Sequence, residues 1–281
     1  MHVNSYAKIN LYLKIGKKLK SGYHSIQSVM QLVKLHDSLF FEKLKEDRIL
    51  IESNNRELEN KNNLAYMAAE LIKKNFKSKE GIKIRVDKSI PISAGLGGGS
   101  SNAASTLTFL NKLFRLKLSH QKLVELGIKI GSDVPFFISG KTALVEGIGD
   151  KIKPLKRSAS INMVLVNPGI KVSTTKAYRW FDGEKKSKSD SSVKDMISAI
   201  NKKDVKKIAE NMHNDFDPII EKKYKIIKEI KTNFRKLDTV NSMVTGSGPT
   251  VMGVFDSIYT AREAYFKLKD LYPFVYLTKT Q

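Results

Sequence analysis

Apolar and polar positions alternate from the first residues of the chain. Ala7, Ile9, Leu11, Leu13 and Ile15 fall on one side of an extended backbone. Lys8, Asn10, Tyr12 and Lys14 fall on the other, which predicts a strand over 4–16 with one buried face. A turn at Ser21-Gly22-Tyr23-His24 and apolar stretches near 25–35, 38–44 and 48–53 extend this into an antiparallel meander. The period then changes. Asn62 or Asn63 stands ahead of Leu64, Met67, Ala68, Leu71 and Ile72, the spacing of a capped helix with one apolar face. A further strand begins at Gly81. Ala103, Leu107, Leu110 and Phe114 recur at helical spacing, another helix runs over 119–130, and 141–152 reads as a strand pair around Gly147 and Gly149.

The second half opens with a strand at 161–166. A charged surface loop is expected at 182–191, followed by three helical segments to about residue 234. The chain finishes strand–loop–strand (242–255), helix (258–272) and strand (274–278). This order predicts an α+β protein with an antiparallel sheet. The break near 154–160 divides it into two domains, 1–156 and 157–281.

Composition narrows the function. With 41% apolar and 28% charged residues, the 281-residue chain has the balance of a globular protein rather than a disordered one. Its net charge of +22 raises nucleic acid, a membrane surface or an anionic small molecule as partners. The basic residues are 42 Lys and only 8 Arg, spread along the chain without a basic tail. Bidentate recognition of phosphates and bases favours Arg, so the pattern reads as a lysine-rich solvated surface and not as a nucleic-acid face. The absence of cysteine excludes disulfides, thiolate catalysis and zinc–thiolate sites. No apolar run is long enough for a membrane span, and the MHVNSYAKIN start lacks a signal-peptide core, so a soluble cytoplasmic protein is expected.

The strongest chemical signal is Pro91-Ile92-Ser93-Ala94-Gly95-Leu96-Gly97-Gly98-Gly99-Ser100-Ser101. Its glycines fall between a strand and a helix. Glycine lets backbone approach an anion and adopt positive φ, and the helix that follows offers unpaired N–H groups and the positive end of its dipole. Two better-known templates fail. Gly140-Lys141-Thr142 could end a Walker A loop, but Pro135 stands where its first glycine belongs, and a dinucleotide fingerprint would need glycine at Ser100. A flexible bend is the ordinary alternative.

The other candidates each have a plain reading beside the functional one. Lys8 and Asn10 share a strand face, about 7 Å apart, yet a lysine on a strand is most often solvated. His24 follows a turn, and no second histidine or carboxylate stands at metal-ligand spacing from it. Asp133 in Gly131-Ser132-Asp133-Val134-Pro135 is either the N-cap of a short helix or a carboxylate placed to take a proton from a hydroxyl. Thr245-Gly246-Ser247-Gly248-Pro249-Thr250 is either a hairpin turn or a loop closing over a ligand.

Their order along the chain says more than any of them alone. Ala7-Lys8-Ile9-Asn10-Leu11, Gly22-Tyr23-His24, PISAGLGGGSSNAAS at 91–105, GSDVPFF at 131–137 and VTGSGPT at 244–250 together resemble the GHMP kinase superfamily. Within it, the Ala-Lys-Ile-Asn-Leu and Gly-Tyr-His elements resemble the branch that acts on cytidylyl substrates. The resemblance implies two α+β domains with ATP and substrate in the cleft between them. It implies that Pro91 to Ser101 cradle the ATP phosphates, that Lys8 and Asp133 are catalytic, and that Mg²⁺ accompanies ATP with protein ligands unassigned. It assigns substrate binding to Asn10, Tyr23, His24, Gly246 and Ser247, with Tyr178 as a second stacking ring. The implied partner is a small cytidylyl alcohol of isoprenoid precursor synthesis, with neither nucleic acid nor membrane, and the implied assembly a monomer or homodimer. Two alternatives remain: a GHMP kinase for mevalonate-type or amino-alcohol substrates, against which Gly22-Tyr23-His24 argues, and a non-catalytic sensor on the same fold. Retention of both Lys8 and Asp133 argues against the sensor.

Overall fold

The computed structural model describes residues 1–76, 80–184 and 191–281. It opens with a long hairpin of β1 (His2–Lys18) and β2 (His24–Leu44), antiparallel along most of their length. β3 (Ile49–Ser53), α1 (Leu64–Phe76) and β4 (Gly81–Asp87) follow, then α2 (Gly98–Leu113), α3 (His120–Ile128) and α4 (Val134–Ser139). β5 (Thr142–Gly147) and β6 (Lys151–Pro154) complete the first half. The second half contains β7 (Asn162–Asn167), α5 (Thr174–Gly183), α6 (Val193–Lys202), α7 (Val205–Glu210) and a two-residue β8 (His213–Asn214). It ends with α8 (Asp217–Lys223), α9 (Lys225–Arg235), β9 (Asn241–Val244), β10 (Val251–Phe255), α10 (Ile258–Leu268) and β11 (Phe274–Lys279).

Two sheets organise these elements, in the predicted α+β arrangement. The first runs β3-β4-β2-β1-β8, with β5 on the other stretch of β2 and β6 beyond it. The three separate apolar stretches read from the sequence are two strands here. The first two merge into the 21 residues of β2, long enough to serve β4 near one end and β5 near the other. The second sheet, β11-β7-β10-β9, is antiparallel throughout. Helices α1 to α4 cover the β2–β4 face around Phe41, Ile84, Ala104 and Leu107. Helices α5, α8, α9 and α10 cover the second sheet around Val166, Phe234 and Phe255. Between the sheets, Ala7, Ile9 and Leu11 of β1 join Met163, Leu165, Met252 and Val254 in one apolar cluster. The halves also share backbone: β8 pairs in parallel with β1, and Thr280 bridges to Val33.

The simple alternation expected of β1 does not survive. Ala7, Ile9 and Leu11 share their cluster with Tyr12, whereas Leu13 lies with Lys8 and Asn10 on the wall of the central cleft. The pairing register explains this: between Asn10 and Tyr12 the strand advances two residues while β2 advances one. Such a bulge inserts one unpaired residue and exchanges the two faces. The strand is buried on both faces because the second half of the chain covers the side that the pattern left to solvent.

Helix starts were more readable where a side chain caps them. Asn63 Oδ1 accepts from Ala65 N at 2.9 Å, and Ser119 Oγ accepts from Lys122 N at 3.2 Å. Between residues 191 and 235 the structure has four helices instead of three, with β8 interrupting the run between α7 and α8. Of the charged loop expected at 182–191, Asp182 and Gly183 belong to α5, and 185–190 lie outside the described residues. No helix among the described residues is long and apolar enough to cross a membrane.

Candidate active site

A cleft of about 1030 Å³ opens where the two halves meet. One wall is the glycine-rich segment. Gly97 is in the left-handed conformation (φ +69°) and caps α2, so Gly98, Gly99 and Ser100 form the helix's first turn and are not part of a preceding loop. A Cβ on Gly97 would stand 3.0 Å or less from the Phe137 ring and the Lys8 stem, which explains glycine there. The first-turn N–H groups have no acceptor within their helix, and the dipole adds positive potential, so the wall is built to receive an anion.

Pro91, Ile92, Ser93, Ala94, Gly95, Gly97, Gly98, Gly99 and Ser100 line the cleft; Leu96 and Ser101 do not. Leu96 is buried in the apolar cluster between the sheets, and its carbonyl accepts from Lys8 N at 3.0 Å. Ser101 Oγ is buried and accepts from Ser5 Oγ at 2.7 Å. These two residues hold the loop onto β1. The segment's entry is fastened by Asp37, fully buried, which accepts from Ser89 N and Ile90 N at 2.8 Å each and pairs with Lys88. Lys88 and Asn102 also line the cleft, and sequence reading missed both. Asn102 falls within the 91–105 segment but was not singled out there, and Lys88 belongs to no pattern that local spacing could mark.

Lys8 and Asp133 face each other across the floor. Lys8 is buried, its Nζ donates to Asn10 Oδ1 at 2.7 Å, and it stands 3.7 Å from Asp133 Oδ2. Asn10 completes its own bonding through Ser28 Oγ (2.8 Å) and through its backbone N–H to Thr245 Oγ1 (2.9 Å). Asp133 precedes α4 but makes no capping bond with its side chain, and Pro135 occupies the first turn. The carboxylate is therefore not spent on the helix. It sits over the cleft, where a hydroxyl brought in by a ligand can reach it.

The opposite end of the cleft is aromatic. His24, buried on β2, stacks on Tyr178 of α5 with centroids 5.0 Å apart and planes 13° from parallel, and meets Phe181 edge-on. Its Nε2 pairs with Asp182 Oδ1 at 2.7 Å, and the other oxygen of Asp182 accepts from Lys18 at 2.7 Å. The Lys18 hydrogen bond, with His24 adding to it, holds the Asp182 carboxyl below its ordinary value. Burial, then the charge of Asp133, pushes the Tyr178 phenol up to about 12. Tyr23, 63% exposed, projects at the rim. Gly246 and Ser247 close the remaining side, with Ser247 Oγ 2.9 Å from Thr174 Oγ1. The fold thus brings together Lys8, Asn10, Tyr23, His24, Asp133, Tyr178, Gly246 and Ser247. Asp182 and Thr174 were not foreseen, since α5 starts without a side-chain capping bond and carries no motif.

Residues 63–141 match the GHMP kinases N terminal domain, and residues 196–273 match GHMP kinases C terminal. A 4-diphosphocytidyl-2-C-methyl-D-erythritol kinase of Caldicellulosiruptor bescii is 42% identical over 282 residues, covering 100% of this chain and 98% of the relative. One of Clostridium botulinum (strain Eklund 17B) is 40% identical, covering 100% of both. A crystal structure of 4-(cytidine 5'-diphospho)-2C-methyl-D-erythritol kinase superposes with a TM-score of 0.86 at 28% identity, covering 100% of this chain and 99% of that one. L. major mevalonate kinase in complex with R-mevalonate shares the fold, at a TM-score of 0.77 and 18% identity over 100% of this chain and 96% of that one. With both domain matches and full-length relatives at this identity, the chain belongs to the GHMP kinase family.

Proposed function

We propose that this protein transfers the γ-phosphoryl group of ATP to the 2-hydroxyl of 4-diphosphocytidyl-2-C-methyl-D-erythritol, a step of isoprenoid precursor synthesis. The observation that carries the reading is the Lys8–Asp133 pair, 3.7 Å apart, with an anion-binding helix start on one side and an aromatic, carboxylate-backed pocket on the other. The likeness to relatives bearing that name supports the choice of substrate.

A GHMP kinase uses ATP as its phosphoryl donor. Pro91 to Ser101 hold its phosphates, with Leu96 and Ser101 acting from behind the wall. Asn10, Tyr23, His24, Tyr178, Gly246 and Ser247 hold the cytidylyl alcohol. Asp133 takes the hydroxyl proton as the alcohol oxygen bonds to the γ-phosphorus and the bond from that phosphorus to the bridging oxygen of ADP breaks. Lys8 offsets negative charge on the transferring oxygens, and Asn10 holds its ammonium in place. Positioning of this kind carries most of the acceleration of phosphoryl transfer.

Magnesium fits this site in the manner usual for nucleotides. The described residues hold no cluster of three His, Asp or Glu that could bind a metal by themselves. Mg²⁺ commonly rides on phosphate oxygens and water with one or two protein oxygens. The buried Oδ1 of Asn102 has no hydrogen-bond partner, and it lies with Ser100 and Asp133 among the residues that would complete such a shell. When bound, the ion would supply charge neutralisation at the phosphates. In a division into domains 1–156 and 157–281, the first carries the phosphate wall, the catalytic pair, Tyr23 and His24, and the second carries Tyr178, Asp182 and the Gly246 loop.

The test is ATP-dependent phosphorylation of 4-diphosphocytidyl-2-C-methyl-D-erythritol by the native chain, Asp133→Ala and Lys8→Ala. The expected outcome is turnover by the native enzyme and a loss of at least about 10²-fold in kcat for each variant, with ligand binding retained. A native enzyme that binds ATP yet ignores this alcohol would overturn the substrate assignment.

A further inference from the structure

Asn214 lies behind the site, in a stretch with no recognised motif. It is 3% exposed and sits in β8, the two-residue strand that pairs with β1, opposite Leu13. Its side-chain amide donates to two carbonyls of the Gly-Ser-Gly loop, Val244 O at 2.7 Å and Gly246 O at 2.8 Å, while its Oδ1 accepts from Phe216 N at 3.0 Å. Both amide hydrogens and the oxygen are used. Only asparagine or glutamine offers two donors and an acceptor on one planar group, and an aspartate would set its oxygens against two carbonyl oxygens.

The neighbours of Asn214 tie the same pieces together. Asp215 N donates to Leu13 O at 3.0 Å, and Asp215 Oδ2 accepts from Ile15 N at 2.6 Å, fixing the segment to β1. Asp217 Oδ1 accepts from Val244 N at 2.8 Å. Val244 is thus gripped at both its N–H and its C=O just before the loop begins. On the loop's other side, Thr245 Oγ1 takes the N–H of Asn10, whose side chain holds Lys8. A Cβ on Gly246 would stand 3.3 Å from Lys8 Nζ, so the backbone that Asn214 holds is in near contact with the lysine.

We propose that Asn214 is a positioning residue for the phosphoryl transfer: it sets the Gly246–Ser247 backbone against Lys8 and Asn10 without touching either ligand. The inference rests on the kinase reading above. A lost clamp would let the loop shift, and displacements near 1 Å at a catalytic group cost up to about 10²-fold.

The test uses the full chain with Asn214→Ala, Asn214→Asp and, as a control, Phe234→Leu in the second-sheet core. Both Asn214 variants should lower kcat about 10- to 100-fold at a temperature where they remain folded, with the KM for ATP within about threefold of native. Phe234→Leu should lower the melting temperature while leaving kcat of the folded enzyme unchanged. Hydrogen exchange read by mass spectrometry supplies a measure independent of substrate. Peptides spanning 244–250 and the Asn10 amide should exchange faster in Asn214→Ala, and those spanning 91–101 should not. If the native chain fails to turn over the cytidylyl alcohol, the kinase reading falls, and exchange alone decides the clamp. Native-like kcat together with native-like exchange would overturn it, as would losses in ATP KM matching those in kcat.

Discussion

The glycine-rich segment at 95–99 and the one at 246–248 press against each other, and they use glycine for different ends. In the first, Gly97 turns the chain into α2, and the glycines that follow leave helix N–H groups open to an anion. In the second no helix follows. Two backbone carbonyls, Val244 O and Gly246 O, are bound by Asn214, and the side chain of Thr245 is bonded to Asn10 N, so the loop is fastened from behind while Gly246 and Ser247 face the cleft. Glycine there solves a problem of space: a Cβ on Gly246 would stand 2.9 Å from Gly95 O. The reverse contact is tighter still, since a Cβ on Gly95 would stand 2.4 Å from Thr245 O. The first loop thus presents helix N–H groups to the cleft, and the second braces it beside Lys8 while Gly246 and Ser247 line the cleft's other side.

The sharpest way to break this pairing is Gly95→Ala. Its φ of +76° costs a residue other than glycine about 1–3 kcal/mol, and its new methyl would meet backbone of the second loop, which cannot swing aside. The expected result is a loss of ATP affinity of roughly tenfold or more, read by calorimetric titration, together with a lower melting temperature. Gly246→Ala separates the two loops by function. It carries a similar conformational cost at φ +57°, but its methyl points toward Lys8 as well as Gly95 O. Here kcat should fall about tenfold while ATP affinity changes less than it does for Gly95→Ala. Equal losses of ATP affinity in both variants would show that the loops act as one surface.

The same contrast explains what could be read from the sequence. The 95–99 segment was legible because its signal is local: glycines directly before a helix free the first-turn N–H groups, a feature the sequence itself displays. The helices capped by Asn63 and Ser119 were legible for the same reason. What was hidden depended on partners distant in the chain. The bulge that turns Leu13 toward the cleft exists only against β2, and β8 is two residues that make sense only beside β1. Asp133 shows the middle case. Its sequence context fits a helix cap as well as a base, and only the absence of a capping bond and the 3.7 Å approach to Lys8 separate the two. Asn214 and Asp182 act across 30 and 158 residues of chain, beyond the reach of any local pattern.

Asp182 offers the smallest effect and the finest test of the aromatic wall against the phosphate wall. Its carboxyl is held below its ordinary value chiefly by Lys18, with His24 assisting, so folding favours the charged form. The contribution is therefore present at neutral pH, above the unfolded value, and is lost as pH falls through the depressed folded value. Protonation would release both Lys18 and His24 Nε2, loosening the hairpin that carries Tyr23 and His24 from α5. With 35% of the side chain exposed, solvent screens the interaction and the change should be modest. Affinity for a cytidine nucleotide should weaken about two- to fivefold across that acid limb, while the phosphate wall, which contains no carboxylate between Pro91 and Ser101, should show no matching limb for ATP from this source. Asp182→Asn should bring cytidine affinity at neutral pH down to the acid level and remove the limb itself. A limb that persists unchanged in Asp182→Asn would assign the titration to another group and leave Asp182 a surface tether with no part in reading the base.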